Sequence, residues 1–257
     1  MKPLIGVILR PMTSKTNRKM FGIYNKINKA LKEDARVIGI VSPTLKKVKK
    51  KYKKDITETL KLLDGIVLQG GDDITALDLF ITKYVYENNI ATFGICLGMQ
   101  TMSYFKKAKI KDIETQNNSQ ENEDDWDIDI DKNSRLYKLV GEPKIIDHNI
   151  DSEKYVHEVN IDKNSKLHEI VKKDKIKVNS RHKCMVINTE LKVSATSPDE
   201  VVEAVEEPKK DFFIGVQWHP EDMISYDKVS KKIFEYFIEK CREKCYENGE
   251  NWWNCQW

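Results

Sequence analysis

Short apolar runs recur through the first hundred positions, with stretches of helical spacing between them. Leu4–Leu9, Gly65–Leu68 and Ile90–Ile95 are rich in Val and Ile and bounded by Gly, Pro or charge. Strands covered on both faces read this way. Between them Tyr24, Ile27 and Leu31 recur at helical spacing, as do Ile56, Leu60 and Leu63; Leu79, Val85 and Tyr86 follow it less regularly. Such alternation predicts a parallel α/β sheet. The second half is richer in strand patterns, at Val156–Ile161, Ile176–Val178, Val193–Ala195, Val201–Val205 and Phe213–Gln217. A last amphipathic helix is predicted over Ser225–Cys245, with Val229, Ile233, Phe237 and Cys241 on one stripe.

Composition adds bounds. A chain of 257 residues allows one large α/β domain or two small ones. Hydrophobic residues at 40% give a lean but sufficient core, and charged residues at 33% exceed the usual ~25%, so the surface is heavily solvated. Lys+Arg outnumber Asp+Glu by 44 to 41, and a pI of 8.4 falls short of the ~9 typical of nucleic-acid binders. No nucleic acid is expected as a partner. No run approaches the ~18–20 apolar residues of a membrane span, so no membrane partner is expected either. The opening apolar run is too short for a signal peptide. Five Cys at scattered positions lack zinc-knuckle spacing, which favours free thiols and a cytoplasmic setting. Residues 117–134 form one acidic, low-complexity stretch, read as a surface loop that is also a lid candidate. The organisation expected is one domain over 1–247 and a Trp-rich tail over 248–257, which either packs its rings on the domain or meets a partner.

The sharpest chemical signal is Gly94-Ile95-Cys96-Leu97-Gly98-Met99-Gln100, where a buried strand runs into a helical stretch. This has the form of a nucleophile elbow, with Gly94 and Gly98 making room for close backbone approach. A thiol at the sheet edge beside a helix N-terminus is favoured as thiolate. Far downstream, Gly215-Val216-Gln217-Trp218-His219-Pro220-Glu221 ends a strand in an imidazole and a carboxylate two positions apart. His219 could hold the thiolate and shuttle a proton, and Glu221 could orient the ring. Val67-Leu68-Gln69-Gly70-Gly71-Asp72-Asp73 closes the second strand with a Gly pair. The Gly71 and Leu97 amides could form an oxyanion hole there; an ordinary strand-to-loop turn reads the same way.

Together these segments resemble the class I glutamine amidotransferase domain, and more narrowly the γ-glutamyl-γ-aminobutyrate hydrolase group, the peptidase C26 family. Pro3–Val7, Asp64–Ile74, His157-Glu158-Val159, Val178-Asn179-Ser180-Arg181-His182 and Ala195-Thr196-Ser197-Pro198-Asp199 are similar to that group in the same order. The resemblance implies a flavodoxin-like, mostly parallel α/β sheet with an added β-rich section. It implies Cys96 as nucleophile, His219 as base, Glu221 as orienter, and Gly71 and Leu97 as oxyanion donors. Gln100 matches a position that contacts the γ-glutamyl part of the substrate, and Ser180 and His182 fall in a loop that shapes the pocket. The substrate implied is a small γ-glutamyl amide. No cofactor or metal is expected, and a second copy of the chain or a separate synthetase is left open as partner.

The chain departs from the group at Leu97, where Arg is usual and where synthetase-linked glutaminase domains have Leu. It also departs at Ala76, along Phe105–Ile110, and at Lys183-Cys184. Three readings therefore stand: a γ-glutamyl amide hydrolase, a glutaminase subunit feeding ammonia to a separate synthetase, and a non-catalytic binding protein of the same fold. Among the other histidines, His148 and His168 read as surface or loop residues. His157 reads equally as pocket-near or structural. Cys184, Cys241 and Cys245 read as inert.

Overall fold

The computed structural model describes residues 1–14, 16–41, 48–112, 146–150 and 153–254. The acidic stretch 117–134 lies outside them. The chain opens with β1 (Leu4–Ile8), a hairpin of β2 (Arg10–Thr13) and β3 (Lys19–Gly22), α1 (Asn25–Leu31), β4 (Arg36–Ile40), α2 (Lys50–Lys61) and β5 (Gly65–Leu68). It continues through α3 (Ala76–Glu87), β6 (Ala91–Ile95), α4 (Leu97–Phe105) and β7 (Lys109–Asp112). The second half holds β8 (His157–Ile161), α5 (Lys166–Val171), β9 (Lys175–Val178), β10 (Cys184–Ile187), β11 (Lys192–Thr196) and β12 (Val202–Glu206). It ends with β13 (Phe213–Val216), a short α6 (Pro220–Met223) and the long α7 (Lys228–Asn254).

Nine strands form one sheet in the order β4-β1-β5-β6-β13-β12-β11-β8-β9. The pairs from β4 to β13 are parallel and those from β13 to β9 antiparallel. This is the α/β sheet with an added β section that the sequence predicts. Strands β5, β6 and β13 are buried along their whole length because helices cover both faces, which is why they read as unbroken apolar runs. Their side chains divide by strand periodicity. Val67, Phe93, Ile95, Ile214 and Val216 enter one core with α1 and α7, whereas Ile66, Leu68 and Phe213 enter the other with α2, α3 and α4.

In the first core the Phe93 ring meets Phe234 and Phe237 at centroid distances of 5.2 and 5.8 Å. Each such burial stabilises the fold by about 1.5–3 kcal/mol. The predicted α7 stripe of Val229, Ile233, Phe237 and Cys241 lies in the same cluster. The helix starts later than expected because Asp227 accepts from the Ser230 N–H at 2.8 Å, a capping bond that fixes the first turn. It then continues to Asn254, so the tail set apart from 248 begins within it. Glu206, buried on β12, accepts from the Lys166 and Leu167 N–H groups and so caps α5. Among the described residues no helix is long and apolar enough to cross a membrane.

Candidate active site

Cys96 stands between β6 and α4 with φ 51° and ψ −106°, a backbone conformation that costs a non-glycine residue about 1–3 kcal/mol. The surroundings enforce it. The Cys96 N–H donates to the Val216 carbonyl at 2.8 Å, and the Cys96 carbonyl accepts from Gln100 N–H at 3.1 Å. A Cβ on Gly98 would fall 1.9 Å from the Leu68 carbonyl oxygen, and one on Gly94 would fall 2.9 Å from Gly98 C. Only glycine lets the strand and helix backbones meet this closely.

Parallel pairing of β13 with β6 carries His219 to the same sheet edge. Its Nδ1 lies 2.8 Å from Glu221 Oε1. A Cβ on Gly70 would meet His219 Cε1 at 3.1 Å and Cys96 Cβ at 3.8 Å, so ring and thiol share one small space over that glycine. Burial pushes the His219 pKa down, but the Glu221 carboxylate and the Cys96 sulfur outweigh it and lift the value to about 10. Asn179 pins the backbone beneath the ring: its Oδ1 accepts from His219 N–H at 2.9 Å and its Nδ2 donates to the His219 carbonyl at 3.1 Å. Asn179 falls in one of the motifs shared with the C26 group, but the sequence assigns it no role.

The Gly70-Gly71 turn is held from one side by Arg10. Its Nε donates to the Gln69 and Gly70 carbonyls at 3.2 and 3.1 Å, and its Nη1 forms a buried pair with both oxygens of Asp78. In a trans peptide the carbonyl and N–H point opposite ways, so the Gly70 carbonyl facing Arg10 turns the Gly71 N–H away from the guanidinium. Leu97 packs against the same turn, its Cδ2 3.1 Å from where a Gly71 Cβ would stand. Nothing in the sequence singles out Arg10; its signal is a lone cation two residues beyond a buried strand.

Gln217 Nε2 lies 3.5 Å from Cys96 Sγ, and Gln100 Nε2 donates to Gln217 Oε1 at 3.2 Å. Gln100 thus reaches the thiol through a second amide. A cavity of about 430 Å³ opens beside the Gly71 turn, lined in part by Arg10, Tyr24, Gly71, Asp72 and Thr75. Burial raises the Tyr24 pKa, with the Asp72 charge acting in the same direction, and both residues line the cavity. Ser180 and His182 do not line this cavity. Ser180 Oγ donates to the His148 carbonyl at 2.8 Å, and His182 is buried against Glu203.

His148 lies outside helix and strand, as a loop residue would, but it is 1% exposed and so not at the surface. His182 N–H donates to its carbonyl, and Asp199 holds its ring. His168 does lie near the surface, 2.9 Å from Asp174. Among the described residues two groups have metal-ligand spacing, His148 with His182 and Glu203, and His219 with Glu221 and Asp222. The sequence shows no such cluster because the members of the first lie far apart along the chain.

The family model described as Peptidase C26 matches residues 75–221, a span that contains Cys96, His219 and Glu221. The chain belongs to the peptidase C26 family. Within this C26 chain, 211 residues are 30% identical to the CTP synthase of Lactobacillus johnsonii, covering 78% of the chain and 39% of that protein. The CTP synthase of Clostridium kluyveri is 30% identical over 183 residues, 66% of the chain and 32% of the relative. The chain therefore spans well under half the length of these synthases. Among solved structures, a Thermoplasma acidophilum protein described as a GMP synthase subunit superposes with a TM-score of 0.59 at 17% identity, covering 97% of this chain and 98% of that one. The Trypanosoma brucei CTP synthase glutaminase domain with bound acivicin gives 0.59 at 18% identity, covering 93% and 94%. These superpositions establish the class I glutamine amidotransferase fold for the C26 chain.

Proposed function

We propose that this C26 protein is a cysteine-dependent hydrolase that cleaves a γ-glutamyl amide through a γ-glutamyl thioester on Cys96, releasing glutamate and an amine. The observation that carries the reading is the strained Cys96 turn sharing one space with the buried His219–Glu221 pair. The Cys96 sulfur attacks the γ-carbonyl, forming the C–S bond while the carbonyl π electrons move to oxygen. The Gly71 and Leu97 N–H groups receive that oxyanion, a contribution of about 3 kcal/mol for such a donor. Collapse expels the amine, which takes its proton from His219. The now neutral imidazole removes a proton from water, hydroxide adds to the thioester, and the Cys96 sulfur leaves as glutamate forms. Glu221 holds the ring and supports its charged form throughout. Asp72 and Asp73 in the lining of the 430 Å³ cavity suit the ammonium of a γ-glutamyl substrate.

A second reading is supported by the likeness to CTP synthases and to a GMP synthase subunit, and by Leu97. In it the amide is glutamine and the amine is ammonia passed to a separate synthetase. One assay addresses both. Purified chain and Cys96→Ala are given glutamine and a series of γ-glutamyl-amines, and glutamate release is measured. Release by the unaltered chain and none by the variant is the expected result, and equal release by both refutes the proposal. Activity on glutamine that requires a co-purifying synthetase selects the second reading.

A further inference from the structure

Behind Gln217 lies a buried cluster that the proposed reaction does not use. His148, His157, His182 and Glu203 come from separate segments, and none is more than 8% exposed. Each ring has one nitrogen committed to an acceptor. His157 Nδ1 lies 3.0 Å from the Glu158 carbonyl and His182 Nδ1 lies 3.1 Å from the Cys184 carbonyl. His148 Nε2 lies 3.2 Å from an Asp199 carboxylate oxygen. Carbonyls and carboxylates only accept, so those nitrogens carry the protons, and in the neutral rings the other three present lone pairs, that of His148 Nδ1 also 3.4 Å from Ser180 Oγ. All three converge on Glu203 Oε1, at 3.3 Å for His148 Nδ1, 3.4 Å for His157 Nε2 and 3.5 Å for His182 Nε2. Among the described residues, His157 Nε2, His182 Nε2 and both Glu203 oxygens have no hydrogen-bond partner.

Lone pairs turned on a carboxylate in a dry interior repel one another, so the cluster requires positive charge at its centre. A proton on His148, which sits between Asp199 and Glu203, supplies part of that charge, while His157 and His182 still turn lone pairs on the carboxylate. Imidazolium rings bonded to a carboxylate would close to about 2.7–2.9 Å. A tetrahedral metal with bonds of about 2.0–2.1 Å has ligand-to-ligand edges of about 3.3–3.4 Å, close to the 3.3 and 3.5 Å from His148 Nδ1 and His182 Nε2 to Glu203 Oε1. The Asp199 and carbonyl contacts are the partners that orient ligating imidazoles. A divalent ion would also balance the two carboxylates Glu203 and Asp199.

We propose that His148 Nδ1, His182 Nε2 and the Glu203 carboxylate, which lie together at metal-ligand spacing, form a site for a zinc-class divalent cation. All three ligands are buried and take no part in the proposed reaction, so the ion is structural. It joins the 146–150 segment, β12 and the 179–184 loop. Through the Glu203 carbonyl, which accepts from Gln217 N–H at 2.7 Å, it stiffens the wall behind the Cys96 thiol.

The test begins with elemental analysis of the purified full chain, which should carry zinc. Chain stripped with a chelator is then titrated with Co²⁺. The expected result is uptake of about one ion per chain, with the visible bands of a tetrahedral nitrogen-oxygen site and no thiolate charge-transfer band. The stripped chain should melt lower and regain its melting temperature with Zn²⁺, a comparison that needs no variant. His182→Gln and Glu203→Gln should lose the Co²⁺ bands, while His168→Gln keeps them. A stripped chain that neither takes up Co²⁺ nor melts differently overturns the proposal. So does uptake that survives Glu203→Gln but is lost in Glu221→Gln, which would place the ion at His219.

Discussion

A glutamine at position 221 keeps the shape of the side chain and removes its charge. Glu221 Oε1 sits 2.8 Å from His219 Nδ1, and both side chains are buried. A hydrogen bond to a charged group is worth about 1.5–3 kcal/mol. At about 1.36 kcal/mol per pH unit, its loss lowers the imidazolium midpoint by about one to two units. In the unaltered protein that midpoint is about 10, against an ordinary 6.5. A raised value means that the stabilisation from the charged ring is complete below pH 6.5 and is lost as the pH climbs to 10. In the proposed reaction the same proton goes to the leaving amine, so kcat/KM should fall along the same alkaline limb. Glutamate release measured across pH should place that limb near 10 for the unaltered chain and at about 8–9 for Glu221→Gln. Superimposable alkaline limbs would refute the assignment of Glu221 as the group that sustains the imidazolium.

Other substitutions test the scaffold of the site. Arg10→Met leaves the fully buried Asp78 carboxylate without a counter-charge, held only by Thr75, and should cost about 3–5 kcal/mol in urea unfolding. Adding Asp78→Leu should recover part of that loss, because the ion pair is then replaced as a unit while the α3 capping box with Thr75 is lost. Gly98→Ala drives a methyl group into the Leu68 carbonyl, which cannot rotate away, and should lower stability by about 3 kcal/mol or more. Burial holds the Cys241 thiol well above the ordinary range, so iodoacetamide at mildly alkaline pH should spare it in the native chain and modify it in urea. Peptide mass mapping reads the difference.

What is legible in the sequence is short-range. Gly65–Leu68 and Ala91–Ile95 are visible because continuous burial demands continuous apolar residues, and Cys96 is visible because two glycines must flank so tight a turn. β4 is written as an apolar run, Val37-Ile38-Gly39-Ile40, that the three-strand reading of the first hundred residues leaves out; in the structure it is an edge strand with only Ile40 fully buried. The β2–β3 hairpin and the β7–β10 pair are short and carry no clear period. Long-range chemistry is hidden for another reason. Glu203 looks like an outward position on an alternating strand, yet β12 is covered on both sides and the side chain has no exposure. His148 looks like a loop residue, and only the folded chain brings it to Glu203. Arg10 is invisible in the same way, since its partners lie some sixty residues on.

The left-handed backbone at Cys96 sets stability against chemistry at a single position. Serine or alanine there inherits the distortion, but glycine escapes it, so Cys96→Gly should raise the unfolding free energy by about 1 kcal/mol or more. Selecting variants of this protein for heat resistance alone would tend to discard its sulfur, and only selection for turnover would retain it.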